Sequence, residues 1–439
     1  MVLTGLLSQE VTGHSLAFAW PPRWRAIPAG RAGHRPVTRP AEEPDAALRM
    51  AGEDHDSVVG LTRELVRIPS RAGTDPHGPV LGCMSAWLAG HGMPPGRLPG
   101  PDGQTVGLVC EVTGGRPGPR YVLDACLDTA PFGDEAAWTH PPASGKITGG
   151  WLHGRGSSDS KAGAAIFAHV AARLVPVSRQ LAGSLVLLFD ADEHTGGFGG
   201  ARAYFEGPGA PGRIDGVMIG YPGPDHLVTG GRGVLRAQLR AHGIASHSGG
   251  RTATPNAITK AAALVTSLAG AELPAGAGPA FPLPPRLTVT EISGGAGYSA
   301  VPDLCTVKVD MRLTRAFDAA AAEALLRSLA AEVDAAWPGT EPTRIQVTMC
   351  WPPYRLGDDS PLKMALLAAA RQAGLSPAAK IAGPSNIGNY LAGLGIEATV
   401  GFGVEYRGLH GTDERIGIDS IPPVQAAYHQ ACLALLASS

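Results

Sequence analysis

The sequence predicts an α/β protein, a sheet covered by helices on both sides, with a smaller ferredoxin-like unit inserted into it. Three observations carry this. Short runs that are apolar on both faces alternate with helical segments, which is the pattern of strands buried from two sides. Between about residues 227 and 351 the pattern changes to period-two alternation interrupted by two helices. At 439 residues the chain also exceeds the length over which one hydrophobic core keeps growing, so two domains are expected.

Residues 1–49 read as a disordered Pro/Arg/Ala-rich leader, with Met50 as an alternative start. From Asp56, the residues Val58, Leu61, Leu65 and Ile68 fall at helical spacing, and Pro69 ends the run. Strands are expected at 107–112, 121–123, 184–189, 216–219 and 397–402. Helices are expected at 162–174, at 362–373 with Ser360 as N-cap, and at 423–436 with Ser420 as N-cap. In the changed region, 234–241, 286–292, 306–312 and 344–349 alternate as strands. Helices lie at 257–268 and from an Asp318 cap to just before Trp337-Pro338. That order is β-α-β-β-α-β, the split arrangement of a ferredoxin-like domain. The expected division is therefore 50–226 and 352–439 for the larger domain and 227–351 for the insert.

Bulk properties exclude several classes. A formal net charge of -2 with 17% charged residues and no basic stripe argues against nucleic acid, and no apolar run approaches a membrane span. No secretory signal is legible at the N-terminus. The six cysteines show no paired spacing, so reduced thiols and a cytoplasmic location are expected.

Chemistry concentrates in four segments: Asp124-Ala-Cys126-Leu-Asp128, Gly154 to Lys161 around Asp159, Asp192-Glu193-His194, and Gly408-Leu-His410. Strand periodicity puts Cys126 and Asp128 on one face. Asp159 lies on a Gly-rich turn before a helix, where a carboxylate is favoured. Acids clustered after a buried strand repel one another and lose hydration, so something positive is expected beside Asp192 and Glu193.

These segments, together with Trp138-Thr-His-Pro-Pro, His247-Ser-Gly, Asp310-Met-Arg312 and His410-Gly-Thr-Asp-Glu414, resemble the family of dinuclear-zinc amidohydrolases and exopeptidases. That family includes aminoacylase, acetylornithine deacetylase, succinyl-diaminopimelate desuccinylase and carboxypeptidase G. The resemblance spans nearly everything after Met50 and implies a mixed-sheet α/β/α catalytic domain with a ferredoxin-like lid and dimerisation domain. It implies Asp159 as a carboxylate bridging two metals, His410 as a ligand of the second, and Glu193 as the general base. Asp128 would orient the first-site ligand two residues before it, and His247 and Arg312 of the lid would bind the scissile carbonyl and substrate.

The departures from the family matter equally. Cys126 stands where the family has its first-site histidine, His194 where it has a second-site acid, and Tyr221 where it has the remaining first-site acid. The second site alone keeps three plausible ligands, Asp159, His194 and His410, which suits one zinc ion better than two, with cobalt or manganese as substitutes. Cys126 stays open between metal ligand, nucleophile and inert small residue, and His194 between ligand and ordinary loop residue. Asn386 occupies a stretch where relatives often carry Thr-Asp, which points to a substrate other than the common N-acetyl amino acids. The expectation is a homodimer, joined through the lid, that cleaves an amide of a small N-acyl amino acid or dipeptide-like molecule. A metal-free acyl-transfer enzyme using Cys126, or a binding protein, is the alternative.

Overall fold

The computed structural model describes residues 44–275 and 281–437. Of the expected leader, residues 1–43 lie outside them. Residues 44–49 belong instead to the helix Pro44–Arg67, which starts well before Asp56 and buries Ala47 and Ala51 in the main core. Large apolar residues announced only its second half. The first half packs through alanines, strong helix formers that leave little periodic signal.

The larger body is built on a nine-stranded sheet. Its centre runs, in spatial order, Thr105–Thr113, Ala182–Asp190, Arg116–Cys126, Gly216–Ile219 and Ala398–Val400. The last four pair in parallel and the first pairs antiparallel, so the sheet is mixed. Helices Pro44–Arg67, Ala162–Leu174, Pro361–Gln372 and Ile421–Ala437 share the core on one face, while Gly199–Phe205 and Ile387–Gly393 cover the other. The expected 397–402 strand is paired only over Ala398–Val400, and Phe402 beyond it turns into the left-handed region at φ 76°. Ser360 stands at the N-cap of its helix, but its hydroxyl donates to the Glu397 carboxylate at 2.7 Å and leaves the helix end uncapped.

The parallel strands Arg116–Cys126, Ala182–Asp190 and Gly216–Ile219 end at the same edge, and Asp128, Glu193, His194 and Tyr221 lie in the loops just beyond them. This is where open α/β sheets place ligands.

A second sheet of four antiparallel strands has the order Arg286–Gly294, Leu304–Leu313, Gly233–His242, Arg344–Trp351. Helices Ala257–Ala269 and Ala319–Ala335 pack on one of its faces around a separate core. Asp318 caps the second helix by accepting from Ala321 N at 2.9 Å. The strand His226–Gly231 pairs within the large sheet, so the small one opens at Gly233 and not at 227. All six cysteines are free, and among the described residues no helix is long and apolar enough to cross a membrane.

Candidate active site

Four chain segments converge at the sheet edge. Cys126 closes its strand and Asp128 follows it; Asp159 sits in the turn Ser157–Lys161 ahead of the helix Ala162–Leu174. Glu193 and His194 follow the strand Ala182–Asp190, and His410 lies in the loop before Arg415–Gly417. Two of these loops hold non-glycine residues in the left-handed region, Asp192 at φ 75° and His410 at φ 58°. Such backbone persists only where its surroundings over-determine it. Around Asp192 they do: Thr195 Oγ1 donates to its carboxylate, and its carbonyl accepts from Phe198 N.

His194 is the hub. Its Nδ1 lies 3.3 Å from Asp128 Oδ2 and 3.4 Å from Glu193 Oε2, and its Nε2 lies 3.5 Å from Asp159 Oδ2. The other oxygen-bearing partner is shared, since His410 Nε2 reaches the same Asp159 Oδ2 at 2.7 Å. Asp128 also accepts the backbone N–H of Glu193 at 3.2 Å and of His194 at 3.0 Å. It was expected to orient Cys126. Its hydrogen bonds run to the Glu193–His194 loop, and none to Cys126 is present among the described residues.

The electrostatics follow from burial and this hub. Burial alone would raise Asp159, but contacts with His194 and His410 outweigh it and hold the carboxyl down at about 2. Burial alone would lower His194, but Asp128, Asp159 and Cys126 hold its ring well above the usual histidine range. Burial and then the Asp159 charge push Glu193 up to about 7, although 25% of its side chain faces solvent. The Cys126 thiol is pushed well up by burial and is 6% exposed, which disfavours the thiolate a nucleophile needs. Cys126 Sγ lies 3.4 Å from Ser160 Oγ and shares a ligand-range cluster with Glu193 and His194. Tyr221, half-buried, is raised by burial and then by Asp159 and Glu193, so its phenol faces the same acids.

The expected lid residues lie apart from this hub. His247 is exposed in a two-residue strand paired with Ala300–Val301, and its Nδ1 accepts from Gly249 N. Arg312 forms an ion pair with Asp310 at 2.7 Å and donates to Ser385 Oγ at 3.3 Å. Asn386 caps the helix Ile387–Gly393 through Oδ1, in a reciprocal capping box with Asn389, so that oxygen is already engaged.

Three features went unassigned in the sequence. Asp124 and Asp190 are 1% exposed, and both Asp124 oxygens and Asp190 Oδ2 have no hydrogen-bond partner among the described residues. Burial, then Glu193, pushes Asp124 to about 8, and burial, then Asp124, pushes Asp190 well up. The signal was present in the acids of 124–128 and 190–193, but not which of them the sheet would seal off. The third is the buried pair Arg155 and Glu414, which ties the Asp159 turn to the His410 loop at 2.7 Å.

Asp159, His194 and His410 each offer a donor atom, all within 4.8 Å of one another. His194 Nε2 is buried with no hydrogen-bond partner among the described residues, and it points to the same Asp159 oxygen as His410 Nε2. Two imidazoles and a carboxylate are a donor set that divalent zinc accepts. The residues fit a divalent ion, and Cys126, Glu193 and His194 form a second cluster of donor atoms within the same range.

Residues 122–434 match peptidase family M20/M25/M40. The chain belongs to this family. Its members hydrolyse amide and peptide bonds, and this chain is a hydrolase of that class. Among curated relatives, succinyl-diaminopimelate desuccinylase of Rhodospirillum centenum is 29% identical over 381 residues, covering 84% of this chain and 95% of the relative. The enzyme of the same name from Dinoroseobacter shibae is 29% identical over 383 residues, covering 84% and 97%. Among solved structures, an M20 family metallo-carboxypeptidase from Sulfolobus solfataricus superposes with a TM-score of 0.70 at 18% identity, covering 87% of this chain and 99% of that one. A dinuclear metal-binding M20 peptidase from Bacillus subtilis gives 0.66 at 16% identity, covering 88% and 99%. The M20 fold, expected from element order and motif order, is thereby shared across nearly the whole described chain.

Proposed function

We propose that the chain cleaves the amide of a small N-acyl amino acid or dipeptide-like substrate, using one divalent metal and Glu193 as general base. The observation that carries this is the convergence of His194 Nε2 and His410 Nε2 on one oxygen of Asp159, with Glu193 Oε2 3.4 Å from the other ring nitrogen of His194, Nδ1. Asp159, His194 and His410 would hold the ion, with zinc favoured. A divalent ion in such a site supplies Lewis acidity and a lowered pKa for water. Glu193 takes the proton from the attacking water and returns it to the leaving amine. Asp128 holds His194 in place through the two backbone N–H groups and the ring. Cys126 and Tyr221, in the positions of the family's other ligands, leave the first site without its usual donors, so a single ion follows.

The small sheet and its helices, 227–351 in the sequence reading, act in this view as a lid. Arg312 takes a substrate carboxylate and Asn386 lines the pocket beside it. His247, exposed on its short strand, serves the site of a partner in a homodimer, where it donates to the developing oxyanion. Purified protein should carry close to one equivalent of metal by elemental analysis. Glu193→Gln should keep that metal while turnover falls roughly 100-fold or more. Two tightly held ions, or an unaffected Glu193→Gln rate, would sink the one-metal reading. Mixing Glu193→Gln with His247→Ala subunits should restore about one working site per mixed dimer. A sedimentation mass of one chain would end the cross-subunit role.

A further inference from the structure

A small antiparallel sheet runs, in spatial order, Lys146–Thr148, Trp151–His153, Arg415–Gly417 and Tyr406–Arg407. The strand Trp151–His153 leads into the turn that holds Asp159, and Arg407 and Arg415 stand at the two ends of the loop that carries His410. Leu152 and Ile416 lie opposite each other and point into the main core, so Trp151, His153 and Arg415 point to the other face. Register then aligns four basic residues in one row: Lys146 lies opposite His153, His153 opposite Arg415, and Arg415 opposite Arg407. At the usual spacing between strands the row is about 14 Å long. No run in the sequence announces it, because each residue comes from a different strand.

The charges of this row are unmatched. Like charges directly opposite one another destabilise an antiparallel pair, whereas Lys308 on the inserted sheet faces Glu291 and meets it at 2.7 Å. Among the described residues, Lys146, His153, Arg415 and Arg407 have no ion-pair partner. Arg415 donates to the carbonyl of Asp413 at 3.1 Å, and Arg407 and Arg415 lie 5.0 and 5.4 Å from the centre of the Trp151 ring. His153 Nδ1 is buried with no hydrogen-bond partner among the described residues, and its ring meets His140 edge-on at 4.8 Å. Burial, then His140 and Arg415, lowers His153 from the usual histidine range, as positive surroundings do. Two nearby acids are placed otherwise. Asp413 accepts from Thr139 N and Oγ1 at 2.7 and 2.8 Å, and Glu405 Oε2 lies over Gly417, which faces Trp151 across the sheet. At the sheet edge the stems of Arg63 and Arg67 pack on Gly145, next to Lys146, and neither has an acid partner among the described residues. Adjacent guanidinium, imidazole and ammonium groups suit phosphate oxygens. One neighbouring pair grips one phosphate, so two pairs in line suit two linked phosphates.

We infer that the row Lys146, His153, Arg415 and Arg407 binds the diphosphate group of a free small molecule, and that its occupation draws together the two ends of the His410 loop. Arg407 and Arg415 repel each other at the base of that loop, and an anion between them removes the repulsion. His410 has half of its side chain exposed and a left-handed backbone, so its loop is the part of the site that such a contact would steady.

Titration calorimetry on the purified full chain with inorganic pyrophosphate tests the binding. Lys146→Gln and Arg407→Gln, at the two exposed ends of the row, should each weaken it roughly tenfold, the scale of one charge-assisted contact, and Arg407→Lys should keep part of the affinity. Arg327→Gln, on the helix Ala319–Ala335, should bind like the unaltered protein. Absence of binding overturns the site, and so does an Arg327→Gln loss as large as the other two. Pyrophosphate held by an ion at the active site would bind Lys146→Gln and Arg407→Gln unchanged, which also overturns it. Capture on phosphatidylserine vesicles without binding of pyrophosphate would make the row a membrane contact and overturn the small-molecule reading. Hydrogen exchange of the 408–414 amides should slow roughly threefold or more with pyrophosphate, and should not in Arg407→Gln. Binding without that slowing overturns the link to the His410 loop.

Discussion

Two charge clusters share the Asp159 turn and the His410 loop, and they are built on opposite terms. In the first, Arg155 meets Glu414 at 2.7 Å and also donates to the carbonyls of His410 and Gly411, while Glu414 accepts from Ser158 N, Ser158 Oγ and Asp159 N. One positive and one negative charge face each other, both almost fully buried. In the second, Asp159 and His410 are joined by Asp124, Asp128, Asp190, Glu193 and His194 from the ends of two neighbouring strands, and both Asp124 oxygens and Asp190 Oδ2 have no hydrogen-bond partner among the described residues. The balanced cluster is a clamp that sets the spacing of Asp159 and His410. The acid-rich one is incomplete by charge and by hydrogen bonding, which is the condition of a site that takes a cation.

The largest expected effect comes from breaking the clamp. Glu414→Ala leaves Arg155 buried and unpaired and should cost about 3–5 kcal/mol in urea unfolding. The double variant Arg155→Met with Glu414→Leu should recover much of that loss. A Glu414→Ala protein of unchanged stability would show that the pair is solvated and not a clamp.

A third kind of buried ionisable group calibrates both. His429, on the helix Ile421–Ala437, is held down to about 4 by burial and then by Arg173. Its folded pKa lies below its unfolded value near 6.5, so its stabilising neutral form is complete above pH 6.5 and is lost as pH falls toward 4. The accumulated effect is about 3 kcal/mol. His429→Leu should flatten that part of the stability profile, measured by denaturation at pH 7 and pH 4. An identical slope in both proteins would remove burial as the cause.

The smallest effect sharpens the acid-rich cluster. Asp128→Asn keeps the size of the side chain but weakens its hold on His194, and metal affinity by competition with a chelator should fall about 10- to 100-fold. Unchanged affinity would mean that His194 is held by its backbone alone, or does not bind the ion.

Much of the fold was legible. The β-α-β-β-α-β order emerged because period-two and helical alternation are local properties of the chain. The helix Ala162–Leu174 lies where its apolar run placed it. The helix Pro44–Arg67 was only half visible because its first turns pack through alanines. The candidate site was legible as four acid- and histidine-bearing segments and as the substitutions Cys126, His194 and Tyr221, but not as a set of pairings.

What the sequence determined by itself was therefore residue type, local periodicity and the surplus of acids that demands something positive nearby. Tertiary structure alone decided which partner each charge meets. Asp128 meets His194, Glu414 closes on Arg155, and Arg286 faces Arg312 with no acid paired to its side chain among the described residues. These choices depend on strand register and on loops brought together from distant parts of the chain. A side chain's partner is set by distances of a few ångströms, and no local pattern in the sequence encodes them.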